Sequence, residues 1–341
     1  MKKTTMRRKM MFAMLSASLL CAAPFAGAQE IQERTIRTGH LLNKDHPVSK
    51  GTQKFAEIVA AKTGGKIKVK EFPSSQLGSE IQQQSALQGG TQEMITMATS
   101  TLAGIVKEFG LLDFPFIVSN EKEADMLLDG PVGRKLFDKL PAHGLVGLAY
   151  WENGFRNVTN SKRPITRPED LDGLKIRVMP NPVYLEAFKA VKANPVPLAF
   201  GELFTALETK AVDAQENPYA IIVSNKFNEV QKYLSITNHT YNAFAVVLSK
   251  KFWDKLSPTE QKILQEAAIE ARDYERQISR AASAKALGEL KTGGMAINEF
   301  PKTEVVRMRQ QIKPVVDKFA ASYDPELVRT FNTELDKIHG K

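Results

Sequence analysis

KIKVKEFPSSQLGSEIQQQSALQGGTQEMITMA, residues 66–98, changes its period twice. Lys66 to Phe72 alternates charged and apolar side chains, the period of a half-buried strand. Pro73 to Gly78 is turn-forming, a helix is expected from about Ser79 to Gln88, and a strand around Glu93 to Ala98. Upstream, Thr35 to Thr38 reads as a strand, and Val48 to Lys62 as an amphipathic helix entered at Pro47 and stopped by Gly64-Gly65. Strand, helix, strand, helix, strand at this spacing indicates βαβ units and a largely parallel sheet.

Further along, Phe109 to Ile117 is apolar and broken by Pro115, which reads as buried core or hinge packing. Two short helices flank Gly130-Pro131, and Leu145 to Trp151 is a strand. Past Arg177 the same grammar returns. Helices are expected over Pro182–Val191, Gly201–Thr209 and Pro218–Phe227, with short strands near Val196–Leu198 and Val212–Gln215. Ligands in such sheets sit outside the carboxyl ends of the strands. Asn238 to Ser249 (NHTYNAFAVVLS) is long for a strand. Ser257-Pro258-Thr259-Glu260 then starts a helix, with Ser as N-cap, Pro first and Glu third. Its pattern runs to about Lys291, roughly 50 Å at 1.5 Å per residue. A long strand followed by an over-long helix implies elements shared by two lobes.

The first 28 residues read as an export address: Lys2, Lys3, Arg7, Arg8 and Lys9, an apolar run from Met10 to Ala23, and a small-x-small site at Ala26-Gly27-Ala28. The apolar run is short for a membrane span, which needs ~20 residues. Cleavage is expected after Ala28, and a periplasmic location with it. Cys21 is the only cysteine, and Leu20 before it argues against a lipobox. Without that segment the chain has no cysteine for disulfides, thiolate metal sites or nucleophiles. Losing its five cations takes the formal net charge from +9 to +4. The remaining Lys and Arg interleave with Asp and Glu, so nucleic acid is not an expected partner. No phosphate loop, GxGxxG, HExxH or GxSxG occurs. His40, His46, His143, His239 and His339 are scattered, so no metal, cofactor or catalytic constellation is expected.

The candidate chemistry lies in YWENGFRNVTNSKRPITRPEDLDGLKIRV, Tyr150 to Val178, as two strand-like pieces with Arg156 in one and Arg177 in the other. Leu174, Ile176 and Val178 alternate with Lys175 and Arg177, so Arg177 faces away from the core side. Alone, either arginine reads better as an ordinary solvated strand residue. A guanidinium nevertheless suits a carboxylate, because its planar fork donates two parallel hydrogen bonds and stays charged. Asn217 falls where a strand gives way to Pro218, an N-cap position, and could serve as cap and ligand group together.

At these residues the chain closely resembles the extracytoplasmic solute-binding proteins of tripartite ATP-independent periplasmic (TRAP) transporters, the DctP-type family. The blocks that carry the resemblance are PSSQLG (Pro73–Gly78), NGFRNVTN (Asn153–Asn160), RPITRPEDLDGLKIRV (Arg163–Val178), NPVPLAFGELFTALET (Asn194–Thr209), AVDAQENP (Ala211–Pro218) and EVQKYLSITNH (Glu229–His239). They occur in order and span essentially the whole chain after the leader. The resemblance implies an α/β, two-lobed periplasmic-binding-protein-like fold, each lobe a β-sheet flanked by helices, with a long helix spanning both. The lobes would comprise 29–152 plus about 243–283, and 153–242 plus about 284–341, hinged near 150–154 and 238–249.

The same resemblance places the carboxylate-binding arginine at Arg177, a supporting arginine at Arg156 and a cleft asparagine at Asn217. By looser alignment His40, Gln76, Thr99, Trp151, Phe200 and Asn242 fall near the ligand. Sialate-binding members carry an acid where this chain has Thr99, which argues against sialate. A sugar acid of the hexuronate or keto-gluconate type is favoured, and the segment Asn238–Trp253 keeps a C4-dicarboxylate open. The partners implied are a small organic acid and the TRAP permease membrane subunits, met by a monomer. A secreted enzyme or a sensor subunit using the same cleft are the rival classes.

Overall fold

The computed structural model describes residues 31–340, so the expected leader and its cleavage site lie outside the described residues. The strands are β1 (Arg34–Gly39), β2 (Ile67–Phe72), β3 (Met94–Ala98), β4 (Leu145–Asn160), β5 (Lys175–Val178), β6 (Asn194–Pro197), β7 (Ala214–Asn217), β8 (Tyr233–Ser249) and β9 (Ala296–Glu299). They form one hydrogen-bonded sheet in the order β2-β1-β3-β8-β4-β7-β5-β6, with β9 paired to β8. Helices flank it, and among the described residues none is long and apolar enough to cross a membrane.

The expectation of a largely parallel sheet holds at the two ends and for the short β9, which pairs parallel with β8. β2, β1 and β3 are mutually parallel, as are β6, β5 and β7. The centre is antiparallel: β3 with β8, β8 with β4, and β4 with β7. β4 and β8 are the cause. β4 runs on well past the anticipated Leu145–Trp151, β8 begins at Tyr233, ahead of the long strand expected from Asn238, and they pair from Leu145↔Ser249 to Asn160↔Tyr233. The register shifts between Gly147 and Ala149, Glu152 and Gly154, and Arg156 and Val158. Gly154 has φ +115°, a conformation that favours glycine, so the middle irregularity is built into the sequence.

Side chains alternate across the central strands. Met94 and Ala98 of β3 and Phe244, Val246 and Leu248 of β8 join one apolar cluster, with Phe55, Trp151 and Leu264. Ile95 and Met97, with Ala243, Ala245 and Val247, join the other, with Phe109, Tyr323 and Phe331. The expected helix starts hold. Ser79 caps the helix Glu80–Gly89 with a full capping box, and the helix Pro47–Thr63 ends at Gly64 in the left-handed conformation. Asn217 is instead the last residue of β7, and the helix after it runs over Tyr219–Ser224 with Pro218 before it. The strand takes Asn217 because it pairs with Asn157 of β4.

The long helix spans Pro258–Thr292, about 52 Å at 1.5 Å per residue. Ser257 Oγ accepts from Glu260 N at 3.2 Å, and Glu260 answers at Ser257 N at 2.8 Å. Glu260 also receives Arg34 Nε at 3.0 Å, which ties the helix start to β1. Buried Ala267, Ala268 and Ala271 let the helix approach closely, and it packs on the helix Pro47–Thr63, on β4 and on Tyr219–Ser224. β9 and the helices Lys302–Ser322 and Pro325–Ile338 have no counterpart among the sequence expectations. The first of these helices fully buries only Met308 and Ile312, a thin apolar stripe for a helix of that length.

Candidate functional site

Strand geometry brings Arg156 and Arg177 together from separate strands. In β5, Ile176 and Val178 enter the core while Arg177 points the other way, yet it is only 2% exposed. β7 runs beside both β5 and β4 and delivers Glu216 and Asn217 between them. A cleft of about 600 Å3, open solvent included, lies over these strand ends. Arg156, Arg177, Asn153, Asn217, Phe200 and Glu80 supply its distinctive side chains, and the rest of the wall is mainly apolar. That size and lining suit a small ligand.

The two arginines differ in how much of their hydrogen-bonding capacity is used. Arg156 Nε donates to Glu216 Oε2, and its Nη2 donates to Glu216 Oε1 at 2.8 Å and to Asn217 Oδ1 at 3.1 Å. His239 Nε2 lies 3.3 Å from the same carboxylate. Burial pushes the Glu216 carboxyl up, but the Arg156 charge and the hydrogen bonds from His239 and Arg156 outweigh it, leaving a pKa of about 2. Glu216 is therefore ionised and neutralises Arg156. Arg177 donates through Nε to the Leu198 carbonyl at 2.9 Å, and its guanidinium lies 6.0 Å from the centre of the Phe200 ring. Its Nη1 is buried and has no hydrogen-bond partner among the described residues. Burial, opposed by Glu216 and assisted by Arg156, lowers Arg177 to about 10, so it remains cationic at neutral pH.

Glu80, at the first turn of its helix, faces the same cleft. Its Oε1 accepts from Ala98 N at 2.8 Å and its Oε2 from Thr101 Oγ1 at 2.5 Å. Burial raises its carboxyl, against those hydrogen bonds and the nearby arginine charges. Sequence reasoning missed Glu80, because an acid in the first turn of a helix is explained by the helix dipole alone. Asn153, not singled out as a site residue from the sequence, sits mid-strand in β4 and lines the cleft.

Of the residues singled out from the sequence, Arg177, Arg156, Asn217 and Phe200 line the cleft, and the other five do not. Trp151 is wholly buried beneath the long helix and donates through Nε1 to the Ala268 carbonyl at 3.2 Å. His40 pairs with Glu71 at 2.8 Å, where β1 meets β2. Thr99 donates to the Ala243 carbonyl at 3.2 Å. Asn242 stands one layer back: its Oδ1 accepts from Asn153 Nδ2 at 2.8 Å, and its Nδ2 donates to Ser100 Oγ at 2.7 Å. Gln76 is exposed in the turn after β2. Each is near the cleft in sequence, but its side chain is engaged elsewhere or points outward.

Residues 38–322 match the family described as bacterial extracellular solute-binding protein, family 7. The chain is 38% identical over 290 residues to the 2,3-diketo-L-gulonate-binding periplasmic protein YiaO of Escherichia coli strain K12, covering 85% of this chain and 87% of that one. It is 32% identical over 323 residues to the C4-dicarboxylate-binding periplasmic protein DctP of Rhodobacter capsulatus, covering 94% and 96%. Among solved structures, the sugar acid binding protein DctPAm of Advenella mimigardefordensis strain DPN7T in complex with galactonate superposes with a TM-score of 0.88 at 44% identity, over 90% of this chain and 99% of that one.

Proposed function

The chain belongs to family 7 of the bacterial extracellular solute-binding proteins, whose members bind solutes for transport and are not enzymes, and from that premise we propose that it captures a small sugar acid by hinge closure in the periplasm and delivers it to a TRAP-type permease. The observation that carries this is the buried, unpartnered Nη1 of Arg177 beside an otherwise held guanidinium. A carboxylate placed there completes the fork with charge-assisted hydrogen bonds. Arg156, fixed by Glu216, shapes the same end, and Asn217 adds an amide.

The moving parts proposed are residues 29–152 with about 243–283, and 153–242 with about 284–341. The irregular register of β4 around Glu152–Gly154 supports a hinge there. Closure on a ligand requires that the closed form bind it better than the open one. Hinge closure of this kind is a known mode of periplasmic binding proteins. A micromolar site corresponds to about −8 kcal/mol.

Asn153, Asn217 and Thr101 offer neutral polar groups suited to hydroxyls, which favours a sugar acid of the hexuronate or keto-gluconate type. The C4-dicarboxylate reading has the Rhodobacter relative in its favour. The test is calorimetry of the purified, ligand-stripped monomer with galactonate, galacturonate and succinate. Recovery of the acid unaltered separates a binder from an enzyme, and uptake with the permease separates a transport component from a sensor. Failure of all three acids to bind with Arg177 intact removes the assignment.

A further inference from the structure

Glu80 is the only acidic residue among the described residues that line the cleft, and Arg156 and Arg177 are its only cations. Arg156 is already neutralised by Glu216, so one cationic fork remains for the ligand. A first carboxylate takes that fork. A second carboxylate on the same small molecule would meet no further cation, and would share the cleft with Glu80.

Glu80 is also held in place. Ala98 N–H, at the end of β3, donates to one oxygen, and Thr101 Oγ, in the helical turn that follows, to the other. A carboxylate offers about four acceptor sites, so two remain, with no donor among them in the ionised form. Such a group accepts from a hydroxyl and repels an anion. We propose that Glu80 sets the specificity of this cleft for acids with a single carboxylate, accepting a hydroxyl from the far end of the ligand and turning away a second carboxylate. The inference rests on the reading of Arg177 as the carboxylate clamp. It refines that reading by separating aldonate-like acids from dicarboxylates.

The probes are galactonate and galactarate, which differ only in carrying CH2OH or a carboxylate at the end remote from the first carboxylate. Both are titrated calorimetrically into the wild type and into Glu80→Gln. The glutamine keeps a carbonyl for Ala98 N–H, and its amide can donate to Thr101 Oγ, so the turn stays satisfied. We expect the wild type to prefer galactonate by about 100-fold or more, and Glu80→Gln to bring the ratio below about tenfold with galactarate gaining in absolute affinity. If Glu80 only anchors the turn, the two acids weaken together and the ratio is unchanged, which overturns the proposal.

Equal affinity of the wild type for both acids overturns it without any variant, and so covers the case in which Glu80→Gln does not fold. Arg177→Ala makes the failures distinguishable. Galactonate binding that needs Arg177 but shows no discrimination sinks the Glu80 assignment alone, whereas absence of binding to either acid removes the reading beneath it.

Discussion

Two buried charge clusters sit along β4, and they are finished differently. At the cleft, Arg156 and Glu216 close on each other while Arg177 keeps a buried donor unspent. Beneath the long helix, Glu275 accepts from the Glu152 backbone N–H at 2.8 Å, and Arg280 joins Glu152 to Asp125 at 2.8 and 2.7 Å. Arg276 adds Asp129 at 2.7 Å and the Tyr150 carbonyl at 2.9 Å. This second cluster binds β4 to the helix Pro258–Thr292 and does not line the cleft. What separates a site from a strut here is where the spare capacity lies. The strut also keeps buried atoms without partners, Glu275 Oε1 and Arg276 Nε, but its arginines are each paired with carboxylates, whereas Arg177 pairs with no carboxylate and its spare donor lies in the wall of a cleft.

The largest effect is expected from Glu216→Ala. It leaves Arg156 buried without its counter-ion, and breaking a buried pair from one side costs about 3–5 kcal/mol. Urea denaturation reads the loss; a change below about 1 kcal/mol would mean that the pair is not the support described. Next, Arg177→Ala should lower galactonate affinity by about 30- to 1,000-fold, or about 2–4 kcal/mol. Its thermal midpoint should hold or rise, because a buried unpaired donor has been removed. Unfolding in place of lost binding would make Arg177 a strut.

The two clusters also respond oppositely to pH. Burial, opposed by the Glu152 N–H and assisted by the Glu152 carboxylate, puts Glu275 at about 8. Burial, opposed chiefly by Arg280, puts Glu152 at about 7. The folded chain therefore holds protons that the unfolded chain releases near pH 4.3. That contribution is fully present below the unfolded value and is lost as pH rises to about 8. Glu216, lowered to about 2, contributes above the unfolded value and fades as pH falls toward 2. Glu275→Gln should flatten the decline of stability between pH 5 and 8 and gain about 1–2 kcal/mol at pH 8, measured by melts across pH. The smallest effect expected is that of Thr99→Val, which loses the hydrogen bond to the Ala243 carbonyl and a longer one from Asn242 Nδ2, together about 1–2 kcal/mol, and leaves galactonate affinity within about twofold.

What could be read from the chain was whatever depends on local period and capping. The alternation of Leu174 to Val178 put Arg177 on the right face, and Ser257 to Glu260 marked the long helix start. Trp151, Thr99 and Asn242 were placed near the ligand by the looser part of the family resemblance, which fixes only a neighbourhood along the chain. That proximity cannot say whether a side chain meets the cleft, a helix or the layer behind, and register shifts in β4 blur the parity further. Glu80 was hidden because its local role as a first-turn acid is sufficient in itself, and its second face exists only once β3 and β5 share one sheet. That the Leu145–Trp151 strand and the strand-like piece carrying Arg156 are one continuous β4 reaching Asn160 was masked by asparagines, which favour turns in isolation; here Asn157 pairs with Asn217 of β7, and Asn160 with Ala214 of β7 and Tyr233 of β8.

The pairing of β4 with β8 has a consequence in time. β3 finds its second neighbour only when β8, beginning at Tyr233, has been made, and β4 waits on the same strand. Most of the chain is therefore synthesised before the sheet can close across its middle. Contacts of such long sequence separation slow folding, because loop closure must precede the energy it releases. Refolding should have a slow phase that tracks β4–β8 docking, during which the edges of β3 and β4 stay unpaired and open to capture by a chaperone.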